Sequence, residues 1–232
     1  MIDAQQSAAL RPARRLRDVA AYQPPALYDA VDLWLDANEG RAPSAEVLGA
    51  LACLPADDVR RYARPGSLEA DISARFGIEV NQVVVTNGGD ESIDRLCRAV
   101  LDRDRGLVLH TPTFEMIPRS ARLADAQIRE VRWWDETFPA GAMVHAIDAS
   151  TGMVAVVSPN NPTGSVIATP DLITIADRAA AVGAVVMVDF AYIEFADADP
   201  TLELLQRENV AVVRTFSKAW GMAGLRVGYT LT

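Results

Sequence analysis

The sequence predicts an α/β protein built on a mostly parallel sheet with helices on both faces. Three observations carry this. From residue 83 onward, short β-rich runs alternate with helical ones. The strand runs are continuously apolar, as in Val185-Val186-Met187-Val188, where a half-exposed strand would alternate. Strands buried on both faces read that way, and the helices between them are the crossovers a parallel sheet needs. Bulk is the third: 232 residues, half of them hydrophobic, suffice for one large domain and exclude wholesale disorder.

The elements follow in order. The first residues carry Arg11, Arg14, Arg15 and Arg17 with no apolar run behind them, which predicts a mobile N-terminal arm over 1–30 instead of a secretory leader. Pro24-Pro25 marks the passage to ordered chain, expected over 31–232. Pro43-Ser44-Ala45-Glu46 opens a helix that runs through Leu54 and stops at Pro55. Ser67 is expected to cap a second helix that ends at Phe76, before Gly77. Arg61-Tyr62-Ala63-Arg64-Pro65-Gly66 between them is turn-rich. Strands are then expected over 83–86, 107–110, 128–131, 153–158, 185–189 and 210–215, with one more after Arg226. Helices are expected over 90–101, 114–124 and 170–181.

Composition narrows the function. A net charge of -9 argues against a nucleic-acid surface, which carries a basic stripe. Cys53 and Cys97 stand far apart without zinc or redox spacing, so a reducing cytoplasm is the expected compartment. His110 and His145 are too isolated for a metal cluster or a triad and read as structural. No apolar stretch reaches the length of a membrane span.

Ligands of an open parallel sheet belong at the carboxyl ends of its strands, and four such ends carry chemistry. Thr86-Asn87-Gly88-Gly89-Asp90-Glu91-Ser92 runs from strand to helix through two glycines, which bare backbone N–H groups at a helix start and suit a phosphate; a tight turn with an N-cap Asp looks the same. Ser158-Pro159-Asn160-Asn161-Pro162-Thr163-Gly164 is a rigid loop that holds an amide in a fixed direction. Val185 to Val188 ends on the carboxylate Asp189, which needs a cationic or hydrogen-bonding partner unless it caps the following turn; Tyr192 stands three residues on. Thr215-Phe216-Ser217-Lys218 places an amine at the last of these ends, with Arg226 eight positions beyond. A lone Ser-Lys in a Gly-rich loop also suits a surface residue.

In their order along the chain, the Gly-Gly-Asp-Glu, Asn161-Pro162-Thr163-Gly164, Asp189-x-x-Tyr192 and Ser217-Lys218…Arg226 motifs resemble those of the pyridoxal-phosphate-dependent aminotransferases of class I and II. Leu35-Asp36-Ala37-Asn38-Glu39, Arg61-Tyr62 and Ser217 through Arg226 are most similar to histidinol-phosphate aminotransferases, and the resemblance extends over the chain after about residue 30. It implies the large domain of a fold type I enzyme with pyridoxal 5'-phosphate as cofactor. Lys218 would be the covalent anchor and proton carrier. Asp189 would pair with the pyridine nitrogen, and Asn161 and Tyr192 would bond the ring oxygen. Gly89, Asp90, Ser217 and Arg226 would surround the phosphate, and Phe114 would stack on the ring. Tyr62 would reach the phosphate of a neighbouring subunit, implying a homodimer. The implied partners are small molecules, an amino donor and a 2-oxo acid acceptor, with no nucleic acid and no membrane.

The sequence also departs from the family. Phe114 stands where the histidinol-phosphate enzymes commonly have Tyr, and Gly40-Arg41 replaces the expected Asn-Pro. Residues near 31–60 match the start of the family's small domain, whose C-terminal part is expected to be missing, as in a fragment of a longer enzyme. Transamination of an amino acid or a phosphorylated amino alcohol is the leading expectation. The alternatives are decarboxylation of a phosphorylated amino acid and a non-catalytic cofactor-binding module.

Overall fold

The computed structural model describes residues 13–16, 19 and 36–232. The predicted N-terminal arm therefore falls almost wholly outside the described residues, as does Leu35. Three helices precede the sheet: α1 (Ala45–Ala52), α2 (Ala56–Arg60) and α3 (Gly66–Phe76). Ser44 caps α1 as expected, its hydroxyl accepting from the Val47 amide at 3.3 Å. α3 differs from expectation at its start. Pro65 occupies the N-cap, so Ser67 lies inside the first turn and caps nothing, while Gly77 closes the helix in the left-handed region at φ 66°. Neither α1 nor α2 buries a side chain.

Strands and helices then alternate through β1 (Val83–Thr86), α4 (Gly88–Val100), β2 (Gly106–Thr111), α5 (Met116–Leu123), β3 (Ile128–Arg132), α6 (Ala140–Ala146) and β4 (Thr151–Val157). They continue through α7 (Thr169–Ala180), β5 (Val185–Asp189), α8 (Thr201–Leu204), β6 (Val210–Thr215) and β7 (Gly228–Leu231). α2, α6 and α8 are additions to the sequence reading, being too short to show a helical period. The strands form one sheet in the order β1-β7-β6-β5-β4-β2-β3. All pairs are parallel except those of β7, which runs antiparallel to both its neighbours. The mostly parallel sheet covered by helices is thus the fold that the apolar runs predict.

Side chains on a strand alternate between faces, and the core divides accordingly. Val108, Val154, Val156, Val186, Val188 and Val212 pack with Met143 of α6 and Leu172 and Ile175 of α7. Leu107, Leu109, Met153, Ala155, Val157, Met187 and Val213 face the other way, against Ile93 and Cys97 of α4 and Ile117 and Ala121 of α5. Burying each large side chain contributes about 1.5–3 kcal/mol, so both covers fix the strand ends in place. The edge strand β3 carries Arg129, Glu130 and Arg132, charges that discourage pairing with another chain. His110 lies in the core, where its Nε2 accepts from the Val157 amide at 3.1 Å and its ring meets Trp133 and Phe138 edge-on. Burial lowers its pKa to about 4 and keeps it neutral.

Candidate functional site

Parallel strands bring their carboxyl ends to one side of the sheet. There a cleft of about 490 Å³ opens between the ends of β4, β5 and β6, the start of α4 and the segment 36–39. Each predicted cofactor contact lines it except Tyr62.

One end of the cleft is built for an anion. α4 starts at Gly88, whose φ of 76° suits glycine, and a Cβ there would lie 2.6 Å from Nη2 of Arg226. Gly228 in turn brings β7 directly against the Gly88–Gly89 backbone. The two glycines thus let the N-terminus of a thirteen-residue helix, with its free N–H groups, sit beside a guanidinium. Arg226 donates to the Ala223 carbonyl at 3.1 Å and to Asp90 at 3.2 Å. Glu91 serves the helix start, not the cleft: it accepts from the Asn87 amide at 2.6 Å and pairs with Arg95 at 2.8 Å. Ser217 is oriented by Thr215, whose Oγ1 donates to its hydroxyl at 2.8 Å and accepts from its amide at 3.1 Å.

Asp189 ends β5 two residues beyond Met187 and so emerges on the α4 and α5 side, in the cleft. It is buried, and among the described residues its carboxylate accepts one hydrogen bond, from the Ala191 amide at 3.0 Å. Among the described residues it forms no ion pair. Burial lifts its pKa to about 6; the Ala191 bond and Lys218 oppose the shift, and Asp90 adds to it. Lys218 faces the same space. Burial holds its ammonium below the usual value, Arg226 reinforces this, and Asp90, Glu39 and Asp189 work against it. Its Nζ donates to the Ala37 carbonyl at 2.7 Å and stands 5.7 Å from the Tyr192 ring.

Phe114 and Asn161 form the remaining wall, Asn161 with no side-chain hydrogen bond among the described residues. Tyr62 lies elsewhere, 99% exposed, in a separate hollow with Arg60, Arg61 and Arg64, and this chain does not bring it to its own cleft. The sequence reading did not place segment 36–39 or Thr113 in the site. Asn38 is the notable omission: its Nδ2 donates to the Tyr192 hydroxyl at 3.2 Å.

The family model for aminotransferase class I and II matches residues 35–232, the cleft and every strand included. The chain belongs to the aminotransferase class I and II family. Among curated members, the histidinol-phosphate aminotransferase of Anoxybacillus flavithermus is 38% identical over 172 residues, which are 72% of this chain and 46% of that protein. The chain therefore spans about half the length of the relatives it matches. Among solved structures, the Sinorhizobium meliloti histidinol-phosphate aminotransferase in complex with pyridoxal-5'-phosphate aligns with a TM-score of 0.76 at 27% identity, over 84% of this chain and 55% of that one. The Thermus thermophilus aspartate aminotransferase with maleate aligns at 0.76 and 25% identity over the same shares. Within this aminotransferase family the sheet and its cleft are the common frame.

Proposed function

We propose that the chain is the cofactor-binding part of a pyridoxal-phosphate-dependent aminotransferase that moves an amino group from a histidinol-phosphate-like donor to a 2-oxo acid. The observation that carries this is the buried carboxylate of Asp189, without a cationic partner among the described residues, in one cleft with a lysine amine and an anion cradle. Pyridoxal phosphate presents the matching groups: a ring nitrogen that takes a proton, an aldehyde and a phosphate. When bound, it supplies an electron sink for the pair released as the substrate Cα–H bond breaks.

The chain's own residues do the rest. Asp189 would hold a proton on the ring nitrogen, whose positive charge would oppose the burial that raises the carboxyl's pKa. The N–H groups of Gly89 and Asp90, with Ser217 and Arg226, hold the phosphate. Asn161 and Tyr192 donate to the ring oxygen, and Phe114 covers the ring. Lys218 is the covalent anchor. Its ammonium, weakened by burial, gives up its proton readily and can carry one from the substrate carbon. Tyr62 reaches the phosphate of a second copy, which makes the working unit a homodimer. Residues 31–60, whose two helices bury nothing, belong to a smaller domain.

Adding pyridoxal phosphate to the chain should give a visible absorption band, and borohydride should then fix the cofactor to Lys218. Lys218→Ala should abolish both. A chain that stays colourless rejects the proposal. Histidinol phosphate should discharge the band and a 2-oxo acid should restore it. Release of carbon dioxide with no need for a 2-oxo acid would instead mark a decarboxylase.

A further inference from the structure

We propose that Asn38 is a positioning residue of the cleft, whose amide sets the direction in which the Tyr192 hydroxyl offers its proton. The inference rests on the function proposed above and adds to it a residue outside the cofactor contacts.

A phenol oxygen carries one proton and two lone pairs, whereas an amide nitrogen only donates. With Asn38 Nδ2 at 3.2 Å, one lone pair of Tyr192 is taken and the phenol proton is not. No acceptor for that proton is bonded to the hydroxyl among the described residues. The hydroxyl is thus left as a donor toward the cleft that Tyr192 lines. Bonded instead to an acceptor at position 38, the same phenol would spend its proton there.

The backbone holds Asn38 in this role. Its φ is 51°, in the left-handed region that Asn enters more readily than most residues. On either side, the segment interlocks with the lysine loop. Lys218 Nζ donates to the Ala37 carbonyl at 2.7 Å. Gly40 lies against the Lys218 carbonyl, and Gly221, at φ 65°, against the Arg41 carbonyl, in both cases too closely for a Cβ. Segment 37–41 is therefore a strap seated on the loop that carries the lysine. The charges that share the cleft with the phenol are Lys218 over its ring, Glu39 on the strap, Asp36 just before it, and Asp189, Asp90 and Arg226. Burial and Asp189 raise the phenol's pKa, and the Asn38 bond counters them.

The test is a double-mutant cycle on the cofactor-loaded chain, read as the pH midpoint at which the absorption of the bound cofactor changes. Asn38→Gly removes the amide and leaves the left-handed backbone free of strain. Asn38→Asp keeps that backbone but presents an acceptor. A donor to the ring oxygen favours its negative form, so weakening that donor raises the midpoint. Asn38→Gly should raise it by about half a pH unit or more, and Asn38→Asp further. In the Tyr192→Phe background Asn38→Gly should not move it, and Asn38→Asp should move it only by its added charge, by less than when the phenol is present. A shift of equal size in that background, or none in either, overturns the inference, because a merely structural strap would not distinguish the two. Circular dichroism checks that the variants fold; should Asn38→Gly fail, Asn38→Asp carries the cycle. A wild-type chain that takes up no cofactor removes the proposed function and this inference together. A wild type that loads normally but shows no coupling removes this inference alone.

Discussion

Asp189→Asn should make the cofactor-free chain gain stability relative to wild type as pH rises, while costing it its hold on pyridoxal phosphate. The carboxyl titrates near 3.8 when solvated and at about 6 in the fold, because burial disfavours its charge. At about 1.4 kcal/mol per pH unit, that difference is on the order of 3 kcal/mol. Well below pH 3.8 the group is protonated whether folded or unfolded, and contributes nothing to the difference. Between pH 4 and 6 the unfolded chain ionises first, so wild-type stability falls as pH rises, and above 6 the full penalty is present. The amide variant has no such slope, and its side-chain oxygen can keep the Ala191 bond. Its unpaired amide costs about 1–3 kcal/mol at every pH, so the change with pH is diagnostic and the offset is not. Urea unfolding of both chains at steps from pH 3.5 to 7.5 measures it. The stability of the variant relative to wild type should climb by about 3 kcal/mol across the series. A difference that stays level with pH would refute a carboxylate held at energetic cost in the cleft. Saturating pyridoxal phosphate should then favour the wild type, adding about 2.7 kcal/mol to it at a hundred times its Kd and little to the variant.

Further outcomes follow from the same geometry. Gly40→Ala drives a methyl into the Lys218 carbonyl, so it should cost about 1–3 kcal/mol in urea unfolding and expose the strap to protease cleavage near Arg41. Gly88→Ala adds strain at φ 76° and displaces Arg226, so cofactor affinity, read by absorbance titration, should fall by about tenfold or more while the fold persists. Arg214, nearly buried in β6, pairs with Glu194 at 2.9 Å and Asp199 at 2.6 Å, and Arg214→Ala should destabilise the chain by about 3 kcal/mol. Burial alone would raise Asp199, yet bonds from Thr201 and Arg214 leave it below the ordinary range. The stabilisation from Asp199 is therefore lost as pH falls through the acid carboxylate range, and acid should narrow the gap between wild type and Arg214→Ala.

β1, β5 and β6 match their sequence expectations residue for residue. Each is a largely apolar run that ends on a buried polar residue on the cleft side of the sheet, so the chemistry changes where the burial does not. Asp189 was legible for that reason, as a charge that closes a hydrophobic strand. The antiparallel direction of β7 was not, because Gly228-Tyr229-Thr230-Leu231 reads alike in either direction and only its partners decide. Arg214 hid within the β6 run, its partners supplied by the turn after β5 and the loop before α8. Asn38 lies in the family-like stretch 35–39, but the sequence assigns it no role, since its partner Tyr192 is far off in the chain and the contact depends on a backbone turn.

The place of β7 between β1 and β6 sets an order of assembly. As the chain leaves the ribosome, β2 through β6 can pair with one another as they appear, since each lies beside strands of that block. β1 is made before all of them, yet among the described residues its sole neighbour in the sheet is β7. It must wait, an apolar strand without hydrogen-bond partners, until Gly228–Leu231 has been synthesised. Gly88 and Gly89 follow directly from β1, and Gly228 is the residue that packs against them. The phosphate cradle therefore cannot close before β7 is made, and a nascent chain stalled before β7 would carry the lysine without a finished place for the anion.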